Sequence, residues 1–185
     1  TQAGTQIHYG QEQQCDRFWQ AQISVDWQRQ SVEQTLSDLG DHIKLQKPEH
    51  QGEFKLSYLL QQPGPSVLPL IRQRLRQSGQ PARPQLRCHW FLDVLPMRAS
   101  RSEAIRFLSL RWGLPLEHIL VVASQQGDVE LVQGLPAAVV TADHDPCLDG
   151  CRQQQRVYFA NRARLMGVLE GLQHYRFLSA RSRLD

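Results

Sequence analysis

The sequence predicts an α/β protein with two grammars in succession: a mixed β-plus-helix region up to about residue 88, then regular alternation of strand and helix. Three observations carry that expectation. HILVVA (118 to 123) and AAVVTA (137 to 142) are continuous apolar runs of strand length, the first of the kind buried on both faces of a parallel sheet. Stretches with apolar residues at helical spacing surround them. Earlier in the chain, Pro48 and Gly52 separate two shorter apolar runs as a connection between antiparallel strands would.

In chain order, AGTQIHYG (3 to 10) alternates Ile7 and Tyr9 ahead of Gly10 and predicts a short strand ending in a turn. Residues 24 to 39 predict an amphipathic helix with Val25, Val32, Leu36 and Leu39 on its apolar face and Gly40 near its end. HIKLQ (42 to 46) and FKLSYLL (54 to 60) are strands joined through KPEHQGE. A helix over 66 to 79 follows, with Leu68, Ile71 and Leu75 sharing a face and Pro69 in the first turn, where its missing N–H is tolerated. LRCHWFLDVLP (86 to 96) predicts one further strand. Ser100 and Glu103 have capping-box spacing and open a helix through Trp112, with Ala104, Leu108 and Trp112 facing inward. After the strand at 118 come a short helix at about 128 to 133, the strand at 137 beside its predecessor through a right-handed crossover, the strand RVYFA (156 to 160) and a closing helix ARLMGVLEGLQHY.

Composition narrows the function. The longest apolar runs fall far short of the roughly 20 residues of a membrane span, and a net charge of +3 with interspersed acids excludes a dominant nucleic-acid footprint. One segment, 71 to 87, is locally basic. Its Arg72, Arg76 and Arg83 read as the solvated face of a helix and the loop after it, with phosphate binding as the other use. Four cysteines include one C-x3-C pair, Cys147 and Cys151, with His144 nearby; free thiols in a reducing cytoplasm fit better than a zinc site, which needs four ligands. The first residue is Thr1, inside a strand, which reads as the remainder of a longer protein.

GTQIHYG, GEFKLSY, LDVLPMRASRSEAIRFLSLRWGL, HILVVASQQGDVELVQGLPAAVV, RVYFA and GVLEGLQHY occur in an order and spacing that resembles the sucrose-phosphatase-like domain, a haloacid-dehalogenase-type unit also found at the C-terminus of bacterial sucrose-phosphate synthases. The resemblance implies a Rossmann-like core with an inserted α+β cap. On that reading residues 1–10 are a core strand, 11–88 the cap and 89–185 the rest of the core, with the first part of the core upstream of Thr1. It also implies a chemistry: an aspartate nucleophile in D-x-D-x-T, a phosphate-neutralising Lys, and a G-D-S-G-N-D loop whose acids hold Mg²⁺, which offsets the repulsion between carboxylate and phosphate.

Position by position, the chain departs from that pattern. The nucleophile motif would lie before Thr1; the only D-x-D, Asp143-His144-Asp145, falls where the family has a turn and reads as one. The phosphate Lys aligns with Arg101, which keeps the charge with a different reach and geometry; the alternative is an exposed first-turn residue. The metal loop aligns with residues 123 to 128, where Ser124 replaces the first Asp and Asp128 alone is retained, as a weak ligand or as a cap for the next helix. For the sugar, the resemblance points to the cap, where Lys55 and Ser57 share one face of a strand, and to Gln6, an amide where the family commonly has an acid. A solvated outer face would look the same at Lys55 and Ser57.

These departures predict a cytoplasmic, degenerate, non-catalytic sucrose-phosphatase-like domain of a sucrose-phosphate synthase, with no cofactor in the chain as it stands. Its expected partners are sucrose 6-phosphate and either the glycosyltransferase domain of the same protein or a separate sucrose phosphatase, with no nucleic acid and no membrane. The rival is an active Mg²⁺-dependent phosphatase whose nucleophile lies upstream. A third alternative is an interaction module that binds no sugar.

Overall fold

The computed structural model describes residues 2–10 and 14–178, within two compact units, Thr1–Ile105 and Arg106–Asp185.

In the first unit a 3-10 turn (Gln2–Gly4) leads into β1 (His8–Tyr9), paired antiparallel with β2 (Gln14–Cys15). The strand expected over 3 to 10 is therefore only two residues long. α1 (Arg17–Ile23) is an element the sequence reading passes over, although its signals are conventional. Asp16 caps it, one carboxylate oxygen accepting the Trp19 N–H at 2.8 Å and the other the Tyr9 hydroxyl at 2.8 Å. Trp19 and Ile23, four residues apart, are fully buried. α2 (Arg29–Ser37) starts later than expected, because Asp26 takes a left-handed conformation (φ 61°) that separates the two helices and leaves Val25 exposed.

β3 (Ile43–Leu45), β4 (Leu56–Leu60), β5 (Ala82–Arg87) and β6 (Phe91–Pro96) form one antiparallel sheet in the order β3-β4-β6-β5. α3 (Gly64–Gln77) joins β4 to β5 and starts two residues before the expected helix. Pro65 takes the tolerated first-turn place and Pro69 lies inside the helix, one turn later than expected. Val32 and Leu36 of α2 and Val67, Ile71 and Leu75 of α3 pack with Leu56, Tyr58, Leu60, Leu92 and Val94 into one cluster. Each fully buried aliphatic side chain there contributes roughly 1.5 to 3 kcal/mol.

The strand expected over 86 to 96 is broken. Cys88 and His89 both have positive φ (48° and 60°), so the chain reverses and Phe91 to Pro96 pair back along β5. Residues 91 to 96 thus lie in the antiparallel sheet between β4 and β5, and the compact units divide at 105/106 rather than at the expected 88/89.

α4 (Arg101–Trp112) runs through that division. Its start is as expected: the Ser100 hydroxyl accepts the Glu103 N–H at 3.0 Å. Its far end is not. Leu108 is half-buried and Trp112 exposed, while Ser109 is buried with its hydroxyl on the Leu114 carbonyl.

The second unit is built on β7 (Leu120–Ala123), β8 (Ala137–Val140) and β9 (Val157–Phe159), parallel in the order β7-β8-β9. A 3-10 turn (Gln126–Asp128) and α5 (Val129–Val132) connect β7 to β8, a 3-10 segment (Pro146–Cys151) lies between β8 and β9, and α6 (Arg164–His174) follows. β8, paired on both sides, is buried at every residue. β7 is an edge, so the two-faced burial expected for it holds on one face only: Val121 and Ala123 are buried and Val122 is 40% exposed. α6 approaches β8 closely through Gly171, where a Cβ would lie 2.6 Å from Val139 Cγ1.

Candidate functional site

Open parallel sheets place ligands at the carboxyl ends of their strands, and in the second unit three loops meet there. The Asp145 N–H donates to the Ser124 carbonyl at 2.8 Å, tying the loop after β8 to the loop after β7. The Ala142 N–H donates to the Arg162 carbonyl at 3.1 Å, tying it to the loop after β9. The spacing of the strands thus converges Ser124, Asp128, Asp143 and Asp145 on one edge.

Each carboxylate on that edge serves its own backbone. Asp128 turns back on its loop, Oδ2 accepting the N–H of Ser124 at 3.1 Å and of Gln125 at 3.0 Å. Those bonds and the Gln125 side chain form a capping box at the start of the turn. Asp143 Oδ1 accepts the Arg164 N–H at 3.1 Å, in the first turn of α6, and this bond is the main reason its pKa is lowered. Asp145 caps the next 3-10 segment by accepting the Cys147 N–H at 2.9 Å, so Asp143-His144-Asp145 is the turn the sequence suggests.

His144 links the same loop to Asp149. Its Nδ1 lies 2.6 Å from the Thr141 carbonyl and its Nε2 3.1 Å from Asp149 Oδ1. Both partners are acceptors, so the full set of bonds needs both ring nitrogens to donate. Asp149 also accepts from Arg152 Nε at 2.9 Å, and its pKa is lowered first by His144 and then by Arg152. Arg152 stacks over Phe159, its guanidinium carbon 4.1 Å from the ring centre.

The Mg²⁺ of the family chemistry needs several hard oxygen ligands in near-octahedral array. The loop after β7 offers one carboxylate, already engaged by two backbone N–H groups, and a neutral hydroxyl at Ser124. Among the described residues no three His, Cys, Asp or Glu side chains converge as a metal site. The donor set present does not fit the ion.

The remaining expected site residues, Gln6, Lys55, Ser57 and Arg101, belong to the first unit. Arg101 is the first residue of α4, where N–H groups and the helix dipole favour an anion. Gly4 presses its backbone against that of Ser100 and Arg101, an approach that φ +91° and the absence of a side chain permit. Gln2 of the same segment reaches the turn that carries Lys55: a Cβ on Gly52 would lie 2.7 Å from Gln2 Oε1, and Gly52 exchanges backbone hydrogen bonds with Lys55. Gln6, further along the same segment, has its Oε1 3.2 Å from His8 Nε2. The N-terminal segment therefore touches both the turn that carries Lys55 and the start of α4, through Gln2 and Gly4.

Ser57 does not join them. It is fully buried and donates to Asp93 Oδ1 at 2.6 Å, while Arg87 Nε donates to Asp93 Oδ2 at 2.8 Å. The expectation that Lys55 and Ser57 present two polar groups to a ligand fails at Ser57, because the sheet partner opposite it is a buried aspartate that accepts its hydrogen bond. Asp93 and Arg87 are the polar centre that sequence reasoning missed. The available signal was one acid inside the apolar run FLDVLP.

A helix-covered parallel sheet joined to a mixed α/β unit with an antiparallel sheet defines the haloacid-dehalogenase type of fold. A curated relative from Nitrosococcus oceani described as a putative HAD-like hydrolase is 30% identical over 185 residues, which cover 85% of this chain and 48% of that protein. The chain belongs to the sucrose-6F-phosphate phosphohydrolase family, whose model matches residues 1–176. Among solved structures, the sucrose-phosphatase of Synechocystis in complex with sucrose and phosphate superposes with a TM-score of 0.86 at 25% identity, covering 96% of this chain and 73% of that one. A probable sucrose-phosphate synthase of Solanum tuberosum is 28% identical over 148 residues, 68% of this chain and 13% of that protein. The chain thus spans about half the length of the first curated relative and a small part of the synthase. It is a sucrose-phosphatase-like domain related to sucrose-phosphate synthase, as its motifs suggest. Among the described residues no helix is long and apolar enough to cross a membrane.

Proposed function

We propose that this domain binds sucrose 6-phosphate without hydrolysing it and serves a sucrose-phosphate synthase, as part of the same protein or by recruiting a separate sucrose phosphatase. The observation that carries the reading is the loop after β7: Ser124 stands in the place of a metal-binding acid, and the Asp128 carboxylate holds its own turn together. Without a cation to offset charge, a carboxylate nucleophile supplied from any part of the protein meets the full repulsion of a phosphate dianion. Recognition needs less. Arg101 at the N-terminus of α4 supplies a planar guanidinium and helix N–H groups for the phosphate. Gln6 in the N-terminal segment and Lys55 on the turn that this segment touches would supply amide and ammonium donors for hydroxyl groups. The likeness to a sucrose-phosphatase whose structure holds sucrose and phosphate supports this ligand class.

The test uses the full-length parent protein with sucrose 6-phosphate and Mg²⁺. Binding heat by calorimetry with no phosphate release is the expected result, together with weakened binding in Arg101→Ala. Clear turnover would show an active phosphatase and overturn the non-catalytic reading. Absence of heat for both sucrose and sucrose 6-phosphate would reduce the domain to an interaction module.

A further inference from the structure

One face of the antiparallel sheet buries a charge. Ser57 pairs with Asp93; one step along the strands, Leu59 pairs with Phe91 and Phe91 with Arg87. Strand residues alternate between faces, so these lie opposite the core residues Leu56, Tyr58, Leu92 and Val94. Asp93 is buried there, with the Ser57 hydroxyl on one carboxylate oxygen and Arg87 Nε on the other. Arg87 itself is half-exposed. The bond from Nε to Asp93 and the Phe91 ring, its centre 5.5 Å from the guanidinium carbon, fix the plane of the group. Neither Nη of Arg87 has a partner among the described residues, so the fork is oriented and left open.

Stability alone does not account for this arrangement. Apolar residues of the same volume commonly do as well as a buried ion pair, because both charges lose their water. What the pair adds is direction: a guanidinium with a fixed plane loses less freedom when it donates to two oxygens at once. Leu59, 40% exposed, and the half-buried Phe91 lay apolar surface beside the fork, the mixture of apolar wall and a few fixed polar groups that ligand sites use. The position of the fork sets what it can reach. Arg83, earlier on β5, donates to the Ala99 carbonyl at 2.7 Å, just before the start of α4 at Arg101. Arg87 lies about 13 Å further along the same strand, at the rise usual for extended chain. One sugar ring with its phosphate on α4 does not cover that span, and two linked rings do.

We propose that Arg87 is a specificity-determining residue of the sugar-phosphate site: with the phosphate at Arg101, its fork donates to hydroxyl oxygens of the ring remote from the phosphate, so that the site takes a disaccharide phosphate in preference to a monosaccharide phosphate. Asp93 is the positioning residue that holds the fork. The inference rests on the sugar-phosphate reading above and is independent of whether the domain hydrolyses its ligand.

The probes are sucrose 6-phosphate and fructose 6-phosphate, its phosphorylated half, titrated calorimetrically into the full chain. Wild type binds the disaccharide phosphate at least fivefold more tightly. The test variant is R87K, which keeps a cation for Asp93 and removes the fork; it weakens sucrose 6-phosphate at least fivefold and fructose 6-phosphate less than twofold. Asp93→Asn, which frees Nε while keeping the side-chain shape, gives the same selective loss, and a merely structural defect would weaken both ligands alike. Equal wild-type affinities, an equal loss on both ligands in R87K, or no loss in R87K overturns the role of Arg87 and leaves the sugar-phosphate reading standing. No heat from wild type with either ligand overturns both, so the two failures are distinguishable.

Discussion

Replacing Gly171 with alanine probes how closely α6 lies on the parallel sheet. The new Cβ would fall 2.6 Å from Val139 Cγ1 and 2.9 Å from its Cβ, and inside contact of Cγ2. Val139 is fully buried in the middle strand of its sheet, so it has no solvent side to move into. Overpacking of this kind costs about 1 to 3 kcal/mol, and the contact here belongs at the upper end. Alanine returns up to about 1 kcal/mol through its better helix propensity. The net loss is about 2 kcal/mol, which at roughly 2 to 4 °C per kcal/mol for a chain of this size lowers Tm by about 4 to 8 °C. Thermal unfolding followed at 222 nm measures it. The cycle with Val139→Ala isolates the cause, because removing both Cγ atoms makes the second substitution milder than it is in wild type. A G171A protein as stable as wild type, or full additivity in the cycle, would refute the close approach of helix to strand.

Three other expectations follow from side-chain environments. Arg87→Ala leaves Asp93, 2% exposed, with Ser57 as its remaining named partner and an uncompensated buried charge; it destabilises by about 3 to 5 kcal/mol, against about 1 to 3 for Ser57→Ala, and urea titration of both orders them. The lowered pKa of Asp149 means its stabilising bonds are fully present above its ordinary value near 3.8 and are lost as pH falls through the lower folded value, so D149N loses part of the acid limb of a Tm against pH curve below about pH 5 and leaves the neutral region flat. Cys147 is open to solvent, yet desolvation and the neighbouring Asp145 carboxylate push its thiol up to about 12; iodoacetamide at pH 8 therefore labels it at least tenfold more slowly than glutathione, read by peptide mass spectrometry.

Periodicity and composition made the second unit readable. The order of β7, α5, β8, β9 and α6, and the pairing of β7 with β8, follow from apolar runs long enough to have one interpretation. The first unit resisted for local reasons. The β5–β6 reversal is made by Cys88 and His89 in left-handed conformations that glycine usually takes, so no residue type marked the turn. Asp26 hides the break between α1 and α2 in the same way. Of the site, the loop at 123 to 128 and the start of α4 were legible because they rest on adjacent residues. Ser57 was misjudged because its environment is set by Asp93, 36 positions away and across a strand pair.

The two backbone bonds held by Asp128 limit what this loop can become. Its carboxylate shapes the turn by accepting the Ser124 and Gln125 N–H groups, so a ligand that drew this carboxylate outward would have to replace both bonds or reshape the turn. The loop is a closed clasp: whatever engages Asp128 from outside competes with the backbone that the same side chain fastens.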